Sequence, residues 1–262
     1  MEKKKEAGWN LHPAGGVTGK AYMGTRNQEK VFLKRNTSPF LATLALEGIA
    51  PKLIWTKRIE NGDVLTAQVW CNGRTLEASE MKEPRVFYLL KKVHQSKTLG
   101  RLLEKVGGKY LLPADLLDTY VERLAGVLKM NDTLEKAYEY LVNHLDDVEP
   151  APEYCASHGD IHHDNYLLSD QDELFLVDWD SAILADPAYD IGQLIARYIS
   201  AADWDEWIEH IEFKQSPEFV ARIHWYMMAT LLLEIKKSLQ EMNDEELFYK
   251  YEYLLKEWLK QF

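Results

Sequence analysis

Apolar and polar positions alternate over short runs in the first seventy residues, and this period of two predicts β-strands. The predicted strands cover residues 21–23, 31–34, 52–56 and 64–70, and polar turns at 27–30 and 61–63 separate them. Between the second and third strands, residues 40–47 have helical spacing and stop at Gly48. The pattern predicts a small N-terminal unit built mainly from strands.

Beyond Asn72 and Gly73, apolar positions recur three and four residues apart, which is the spacing of amphipathic helices. One β-hairpin pattern interrupts the helices, with strands at 166–168 and 174–177 around a polar turn. The predicted helices cover residues 86–106, 116–130, 133–145 and much of 189–262. We therefore predict an α+β chain with two lobes, residues 1–72 and residues 73–262, and a ligand cleft between them.

The 262-residue chain carries 31 basic and 42 acidic residues, a net charge of −11. This balance disfavours nonspecific binding to nucleic acid or to an anionic membrane, and an anionic ligand would need a dedicated phosphate site and a metal.

No apolar run reaches the roughly 18–20 residues that span a bilayer, and the charged residues 1–6 lack the apolar segment of a secretory signal. Cys71 and Cys155 lie far apart and are expected to be free thiols. We expect a cytoplasmic protein without membrane insertion.

One segment combines several chemically active side chains: His158-Gly159-Asp160-Ile161-His162-His163-Asp164-Asn165. Asp160 precedes Asn165 by five positions, and Asp178 follows the predicted hairpin. Phosphoryl transfer from ATP needs ligands for Mg²⁺ and a carboxylate that orients the acceptor hydroxyl and accepts its proton. Asp and Asn oxygens suit Mg²⁺, and the kinase catalytic loop has the same Asp-to-Asn interval, followed by a metal-binding Asp. The spacing therefore indicates a kinase.

A metallophosphatase is the alternative from another class of chemistry. Asp160 and His162 form an Asp-x-His block of the kind that opens a two-metal site for phosphate-ester hydrolysis. Such a site needs further histidine blocks downstream, but only His210 and His224 follow residue 163, and both lie in predicted helices. The number of histidines therefore favours the kinase.

Three segments together resemble the aminoglycoside phosphotransferase and choline/ethanolamine kinase family. They are the segment from His158 to Asn165, Leu176-Val177-Asp178-Trp179-Asp180 and Asp186-Pro187-Ala188-Tyr189-Asp190. The resemblance extends over nearly the whole chain, because Gly15-Gly16-Val17-Thr18 and Val31-Phe32-Leu33-Lys34 stand where that family has its phosphate loop and strand lysine. It implies a bilobal protein-kinase-like fold and ATP- and Mg²⁺-dependent transfer of the γ-phosphate to a hydroxyl of a small molecule. Within the family, the chain is most similar to phosphotransferases associated with cell-cycle control in Gram-positive bacteria, a likeness that would add protein partners.

The resemblance also implies roles for individual acids of the C-terminal lobe. Asp160 would be the catalytic base, and Asn165 and Asp178 would bind Mg²⁺. Asp180 matches the family's second acid, which would lie near the metal or the substrate. Asp190 matches an acid that would brace the catalytic loop.

A second set of roles concerns the nucleotide. Lys34 would hold the α- and β-phosphates beside the loop Gly15-Gly16-Val17-Thr18. The backbone of residues 68–72, including Gln68 and Trp70, would form the hinge that meets the adenine ring. The family's N-lobe helix normally offers a Glu to the strand lysine, but here Glu47 stands at the far end of the helix, so we expect that ion pair to be missing.

The histidines and the altered helix leave two questions open. His158 is expected to support the loop by hydrogen bonding, and His163 is a candidate substrate contact in the cleft. The missing glutamate motivates a pseudokinase that acts as a regulatory binding module. The intact set of Asp160, Asn165 and Asp178 favours an enzyme.

The acceptor is the least specified part of the prediction. A box of aromatic rings could bind the ammonium group of choline or ethanolamine, and the same rings could stack on a sugar or nucleobase. Helical spacing equally places such rings in a core. As acceptors, we rank a sugar or nucleoside hydroxyl and an amino-alcohol hydroxyl equally, and an aminoglycoside below both. The candidate rings are Trp204, Trp207, Trp225 and Tyr226.

Overall fold

A computed structural model describes residues 5–6, 8–13, 21–35, 40–59, 62–128, 131–211, 216–239 and 244–261. It has the α+β class predicted from the sequence, with an antiparallel sheet at the N-terminus and a mainly helical remainder. No helix in these ranges combines the length and apolar character needed to cross a bilayer.

An antiparallel sheet forms the N-terminal part, and its strand order within the described residues is β1-β2-β3-β4-β6-β5. Val31 and Leu33 alternate with more exposed neighbours along β4, and they pack with Leu65 and Ala67 of β6 in a small core. The four predicted strands are confirmed, and two short ones at the N-terminus were not predicted. The strands are β1 Lys5–Glu6, β2 Trp9–Pro13, β3 Ala21–Arg26, β4 Glu29–Arg35, β5 Leu53–Arg58 and β6 Val64–Val69.

The N-lobe helix α1, Phe40–Leu46, ends at Gly48 as the pattern predicts. Gly48 has φ +65°, and Ile49 N donates to Leu44 O at 2.9 Å, so a left-handed residue closes the last helical turn. Ile49 O then accepts from Leu176 N at 2.8 Å. The loop after α1 is thereby fixed to the hairpin of the C-terminal lobe.

The crossing between the two lobes continues directly into a second sheet. After β6, strand β7 (Gly73–Thr75) pairs antiparallel with β9 (Tyr166–Ser169), which also pairs with β10 (Leu174–Leu176). Gly73 lies so close to Leu168 O that a Cβ at this position would stand 2.1 Å from it. The hairpin was predicted, whereas β7 was not, because three exposed residues carry no apolar pattern.

Helices make up most of the C-terminal lobe, and α6 packs extensively on α8 within the larger core. The predicted helix at 86–106 is two helices, because Ser96 ends the first and accepts from Leu99 N at 3.1 Å as the N-cap of the second. The described helices are α2 Pro84–Gln95, α3 Lys97–Lys105, α4 Pro113–Leu128, α5 Asp132–Asn143, α6 Ala188–Tyr198, α7 Trp204–His210, α8 Pro217–Lys237 and α9 Glu245–Trp258.

Candidate active site

The segment 158–165 follows directly after one strand of a buried, two-stranded antiparallel ladder. Strand β8 (Cys155–Ser157) pairs with β11 (Ile183–Ala185), and the chain turns sharply at Gly159, which has φ +80°. A Cβ at Gly159 would stand 2.4 Å from Ser181 O, so only glycine fits the turn. The turn places Asp160 just beyond the end of strand β8, where 46% of its side chain is exposed.

Asp190, the first acid of helix α6, holds the start of this loop. Its Oδ2 accepts from His158 N at 2.8 Å and its Oδ1 accepts from Gly159 N at 2.9 Å. The ring of His94 is 2.9 Å from the same carboxylate, and Asp190 is fully buried. Burial by itself would raise the pKa of Asp190, but the hydrogen bonds from His94 and Gly159 outweigh it and hold the pKa below its usual range.

Three further side chains of α6 bind the same loop, and the sequence analysis did not identify them. Gln193 donates to Gly159 O at 3.1 Å and accepts from Ile161 N at 3.0 Å. Arg197 donates to Ile161 O at 2.6 Å. Tyr198 OH accepts from the backbone N of His163 at 2.9 Å. The available signal was polar residues three and four positions apart on an apolar helix, directly after the Asp186–Asp190 motif.

Asp160 and Asn165 contact each other across the loop. The Asn165 amide nitrogen donates to Asp160 O at 2.9 Å and to Asp160 Oδ2 at 3.3 Å. Because the amide nitrogen is used in these bonds, the amide oxygen is the atom left for a cation. Val177 N donates to Asn165 O at 2.8 Å, which places the residue before Asp178 beside Asn165.

Asp178 follows the hairpin in the left-handed conformation, with φ +61°. Lys34 Nζ lies 2.7 Å from Asp178 Oδ1 and 3.0 Å from Asp180 Oδ1, so the strand lysine meets both acids. Burial would lower the pKa of Lys34, but the two carboxylates outweigh burial and raise it. Lys34 is therefore a protonated cation beside two carboxylates, each of which is more than half exposed.

Glu47 lies in a different environment. Its Oε1 accepts from Ser96 Oγ at 2.7 Å. Among the described residues, the acids within ion-pair distance of Lys34 are Asp178 and Asp180 rather than Glu47. The expectation that Glu47 does not pair with the strand lysine agrees with these contacts.

The histidines of the loop make local contacts. His158 Nε2 donates to Val177 O at 2.9 Å, its Nδ1 accepts from Asp160 N at 3.3 Å, and its ring packs against the edge of Trp179. His163 Nδ1 is 3.0 Å from Tyr198 OH, and its side chain remains partly exposed. His158 thus connects the loop to the segment that carries Asp178.

Of the residues predicted to bind the nucleotide, Lys34, Gln68 and Trp70 are among the described residues. Gln68 is buried and its amide donates to Pro51 O at 2.7 Å, so its side chain holds the N-lobe together. Trp70 donates to Asn72 Oδ1 at 3.1 Å. The predicted phosphate loop Gly15-Gly16-Val17-Thr18 lies outside the described residues.

The aromatic box is contradicted by the packing of its members. Trp207, Trp225 and Tyr226 are buried in the main core. The ring nitrogen of Trp225 donates to Leu141 O at 2.9 Å, and that of Trp207 donates to Lys82 O at 3.1 Å. Trp204 packs against Trp207 and against other rings of the same cluster. These rings stabilise the lobe by packing in its core.

The donor set fits a magnesium–phosphate complex. The Asn165 amide oxygen and the Asp178 carboxylate are hard oxygen donors on segments joined by a backbone hydrogen bond. A cationic lysine adjoins them, and a half-exposed carboxylate, Asp160, stands on the other side of Asn165. Such a group of side chains can bind a metal-complexed phosphate and orient a hydroxyl.

Three solved structures share this fold over most of their length. Choline kinase LicA from Streptococcus pneumoniae matches with a TM-score of 0.64 at 16% identity, covering 97% of this chain and 94% of that chain. A choline/ethanolamine kinase family protein from Mesorhizobium loti matches with a TM-score of 0.62 at 19% identity, covering 94% and 87%. The spectinomycin phosphotransferase APH(9)-Ia in complex with ADP and spectinomycin matches with a TM-score of 0.61 at 12% identity, covering 94% and 88%.

The sequence itself matches a family model. The model described as "Phosphotransferase enzyme family" aligns with residues 28–224. That range begins before Lys34 and ends after Asp190, so it includes the acids and the lysine described above. This chain therefore belongs to the phosphotransferase enzyme family, as its catalytic-loop motif predicts.

Proposed function

We propose that this protein is an ATP- and Mg²⁺-dependent kinase that transfers the γ-phosphate to a hydroxyl of a small molecule. The observation that carries the proposal is the convergence of Lys34 and Asp178 at 2.7 Å, next to a loop in which Asn165 contacts Asp160. In this proposal residues 1–72 and 73–262 form the two lobes, and the nucleotide lies in the cleft between them. One of the similar structures holds ADP, and two are named as choline or ethanolamine kinases.

The proposed chemistry assigns one task to each side chain. Asp160 orients the acceptor hydroxyl and accepts its proton as the oxygen attacks the γ-phosphorus, while the bond from that phosphorus to the β–γ bridging oxygen breaks and ADP leaves. Asn165 and Asp178 bind Mg²⁺, which when bound neutralises charge on the phosphates. Lys34 holds the α- and β-phosphates, and Asp180 lies near the metal or the substrate.

The acceptor proposed first is a neutral hydroxyl compound such as a sugar or nucleoside. One observation supports this order over an amino alcohol. The rings that would surround an ammonium group are packed in the core. The amino alcohols remain the second candidate because two structures of the same fold are named as choline or ethanolamine kinases.

A role in bacterial cell-cycle control, with protein partners, is a further part of the proposal that rests on the sequence resemblance alone. Deletion of the gene in its host, compared with a strain that carries Asp160→Asn, tests it. A division defect in both strains would support a role that needs the kinase activity. Normal division in both strains would contradict the cell-cycle role, and it would leave the kinase proposal to the assay described next.

ADP release is the direct test of the proposed activity. Wild-type protein with MgATP is assayed against free sugars, nucleosides, choline and ethanolamine, beside Asp160→Asn. We expect one acceptor class to stimulate ADP release in wild type only. Equal behaviour of the two proteins on every acceptor would contradict the kinase proposal and favour a pseudokinase. Mn²⁺-dependent cleavage of phosphate esters without ATP would instead favour the metallophosphatase.

A further inference from the structure

A buried ion pair lies behind the catalytic loop and is not part of the family motif. Arg197 of α6 and Glu234 of α8 are 2.5 Å apart between Nη2 and Oε1, and only 7% and 11% of their side chains are exposed. Lys237, one turn further along α8, is 3.5 Å from the same Glu234 oxygen. A buried ion pair often contributes little net stability, so its presence calls for another explanation.

The second guanidinium nitrogen of Arg197 faces the loop. Arg197 Nη1 donates to Ile161 O at 2.6 Å and to Gln193 Oε1 at 3.1 Å. The same nitrogen is 3.7 Å from Asp160 Oδ1, which is too long for a hydrogen bond but within ion-pair range. Because both hydrogens of Nη1 already have acceptors, Arg197 attracts the carboxylate by charge and leaves Oδ1 free to accept from a hydroxyl.

The other carboxylate oxygen is held from the opposite side. The Asn165 amide nitrogen donates to Asp160 Oδ2 at 3.3 Å. Asp160 thus lies between an amide donor at one oxygen and a cation near the other. Glu234 balances most of the Arg197 charge and fixes the guanidinium plane, so the cation adjoins Asp160 without forming a direct hydrogen bond to it.

We propose that Arg197 is a positioning residue for the phosphoryl transfer: held by Glu234, it fixes the Ile161 carbonyl and keeps Asp160 Oδ1 aimed at the acceptor hydroxyl. This inference rests on the proposed kinase function. Arg197 is too buried to be a substrate-binding side chain. Its effect should appear in kcat rather than in the KM for MgATP, because its contacts within the described residues are with the loop at Asp160 and Ile161, with Gln193 and with Glu234 rather than with Lys34.

The test separates positioning from stability with one double variant. Arg197→Met leaves buried Glu234 with the longer contact to Lys237 in place of its 2.5 Å pair, and we expect a lower thermal midpoint together with a kcat about 100-fold lower. Arg197→Met/Glu234→Leu removes the whole ion pair, and replacing such a pair with apolar residues usually restores stability. We expect the double variant to recover the thermal midpoint, to keep the low kcat and to leave the KM for MgATP unchanged.

Two further variants serve as controls. Arg222→Met breaks another buried ion pair, between α8 and the segment just before α6, because Arg222 Nε donates to Asp186 Oδ2 at 2.7 Å. We expect it to lower the thermal midpoint without a comparable loss of kcat, assayed below the melting transition. Arg197→Lys keeps the charge near Asp160 and should recover about tenfold in kcat over Arg197→Met.

The outcomes distinguish the two proposals. If the double variant regains kcat along with its stability, Arg197 has only a structural role and the inference is wrong. If Arg222→Met loses as much kcat as Arg197→Met, the loss reflects the helix contact and the inference is also wrong. If wild-type protein releases no ADP with any acceptor, the proposed function itself fails.

Discussion

Lys34 Nζ lies 2.7 Å from Asp178 Oδ1, although 144 positions separate the two residues in the chain. One comes from the central region of the N-terminal sheet and the other from the segment that follows the C-terminal hairpin. The contact joins the two lobes at the point where the metal and the phosphates are proposed to bind. It also explains how Lys34 is positioned without an ion pair to Glu47, because Asp178 and Asp180 supply the carboxylates that pair with it.

Replacing Asp178 with alanine tests the proposed metal site. We expect Asp178→Ala to lower MgATP turnover by about 100-fold or more, because it removes a proposed ligand of the Mg²⁺ that would neutralise charge on the phosphates. The side chain is 58% exposed, so the thermal midpoint should change little. Turnover is measured by ADP release across a Mg²⁺ titration.

The matched control for this variant is Asp170→Ala. Asp170 is an exposed acid in the turn of the same hairpin, and its described contact is a backbone bond from its N to Asn72 O. Its removal changes the net charge by the same amount and should leave turnover unchanged. If Asp178→Ala remains as active as Asp170→Ala at ordinary Mg²⁺, the metal site lies elsewhere.

Substitution of Gly159 tests how tightly the catalytic loop is fixed. Gly159→Ala adds a Cβ 2.4 Å from Ser181 O at a residue with φ +80°. The left-handed conformation alone costs about 1–2 kcal/mol for an L-residue, and the clash adds to it by displacing the loop. We expect lower stability in chemical denaturation and a loss of kcat, because Asp160 is the next residue.

Gly107→Ala separates the two contributions. Gly107 has φ +85°, and nothing lies within 4 Å of the position of its Cβ. It therefore carries the conformational cost without the clash, and turnover should be retained. Equal effects of the two substitutions on stability and on kcat would mean that the loop can move away from Ser181 without consequence.

The hairpin and the contact between Asp160 and Asn165 could be predicted from the sequence because the residues that determine them are contiguous. Asp160, Asn165 and Asp178 lie within nineteen positions, and the alternation on either side of the turn at 169–172 specifies the hairpin between them. Gly48 likewise predicts the end of α1, because a left-handed C-terminal residue is a local requirement.

What the sequence does not predict depends on contacts between distant segments. Arg197 and Glu234 look like ordinary charged residues on two helices, and only the packing of α6 on α8 brings them together behind Asp160. The ladder of β8 and β11 escapes prediction because each strand has only three residues, nearly all of them buried, and shows no alternation. The prediction of an aromatic box was wrong because aromatic residue type alone does not indicate whether a ring lies on the buried face of its helix.

The two cysteines differ in how accessible their thiols are. Cys155 is buried in β8, and burial raises the pKa of its thiol to about 12. Cys71 lies at the crossing between the lobes and is only partly buried, although burial also raises the pKa of its thiol. We expect a thiol reagent at pH 8 to modify Cys71 in the native protein and Cys155 only after unfolding. Mass spectrometry of the labelled peptides, with and without denaturant, tests this, and rapid native labelling of Cys155 would contradict it.

Asp190 should contribute to stability rather than directly to the chemistry. Asp190→Ala leaves His158 N, Gly159 N and His94 without their acceptor in a fully buried site. We expect a loss on the order of 3 kcal/mol in the free energy of unfolding. Asp190→Asn keeps one acceptor oxygen and should lose less of the free energy of unfolding. A thermal midpoint of Asp190→Ala equal to that of wild type would contradict the bracing role.

The lowered pKa of Asp190 also predicts how this contribution varies with pH. A carboxyl group whose pKa is lower in the folded state stabilises the fold above its unfolded value, about 3.9, and that stabilisation is lost as the pH falls through the folded value. The difference in unfolding free energy between wild type and Asp190→Asn should therefore shrink as the pH falls below about 4. Urea unfolding at several pH values measures it, with Asp170→Asn as the control for the change in charge. A difference that grows as the pH falls would mean that burial outweighs the three hydrogen bonds and that the carboxyl group is protonated more easily in the folded state.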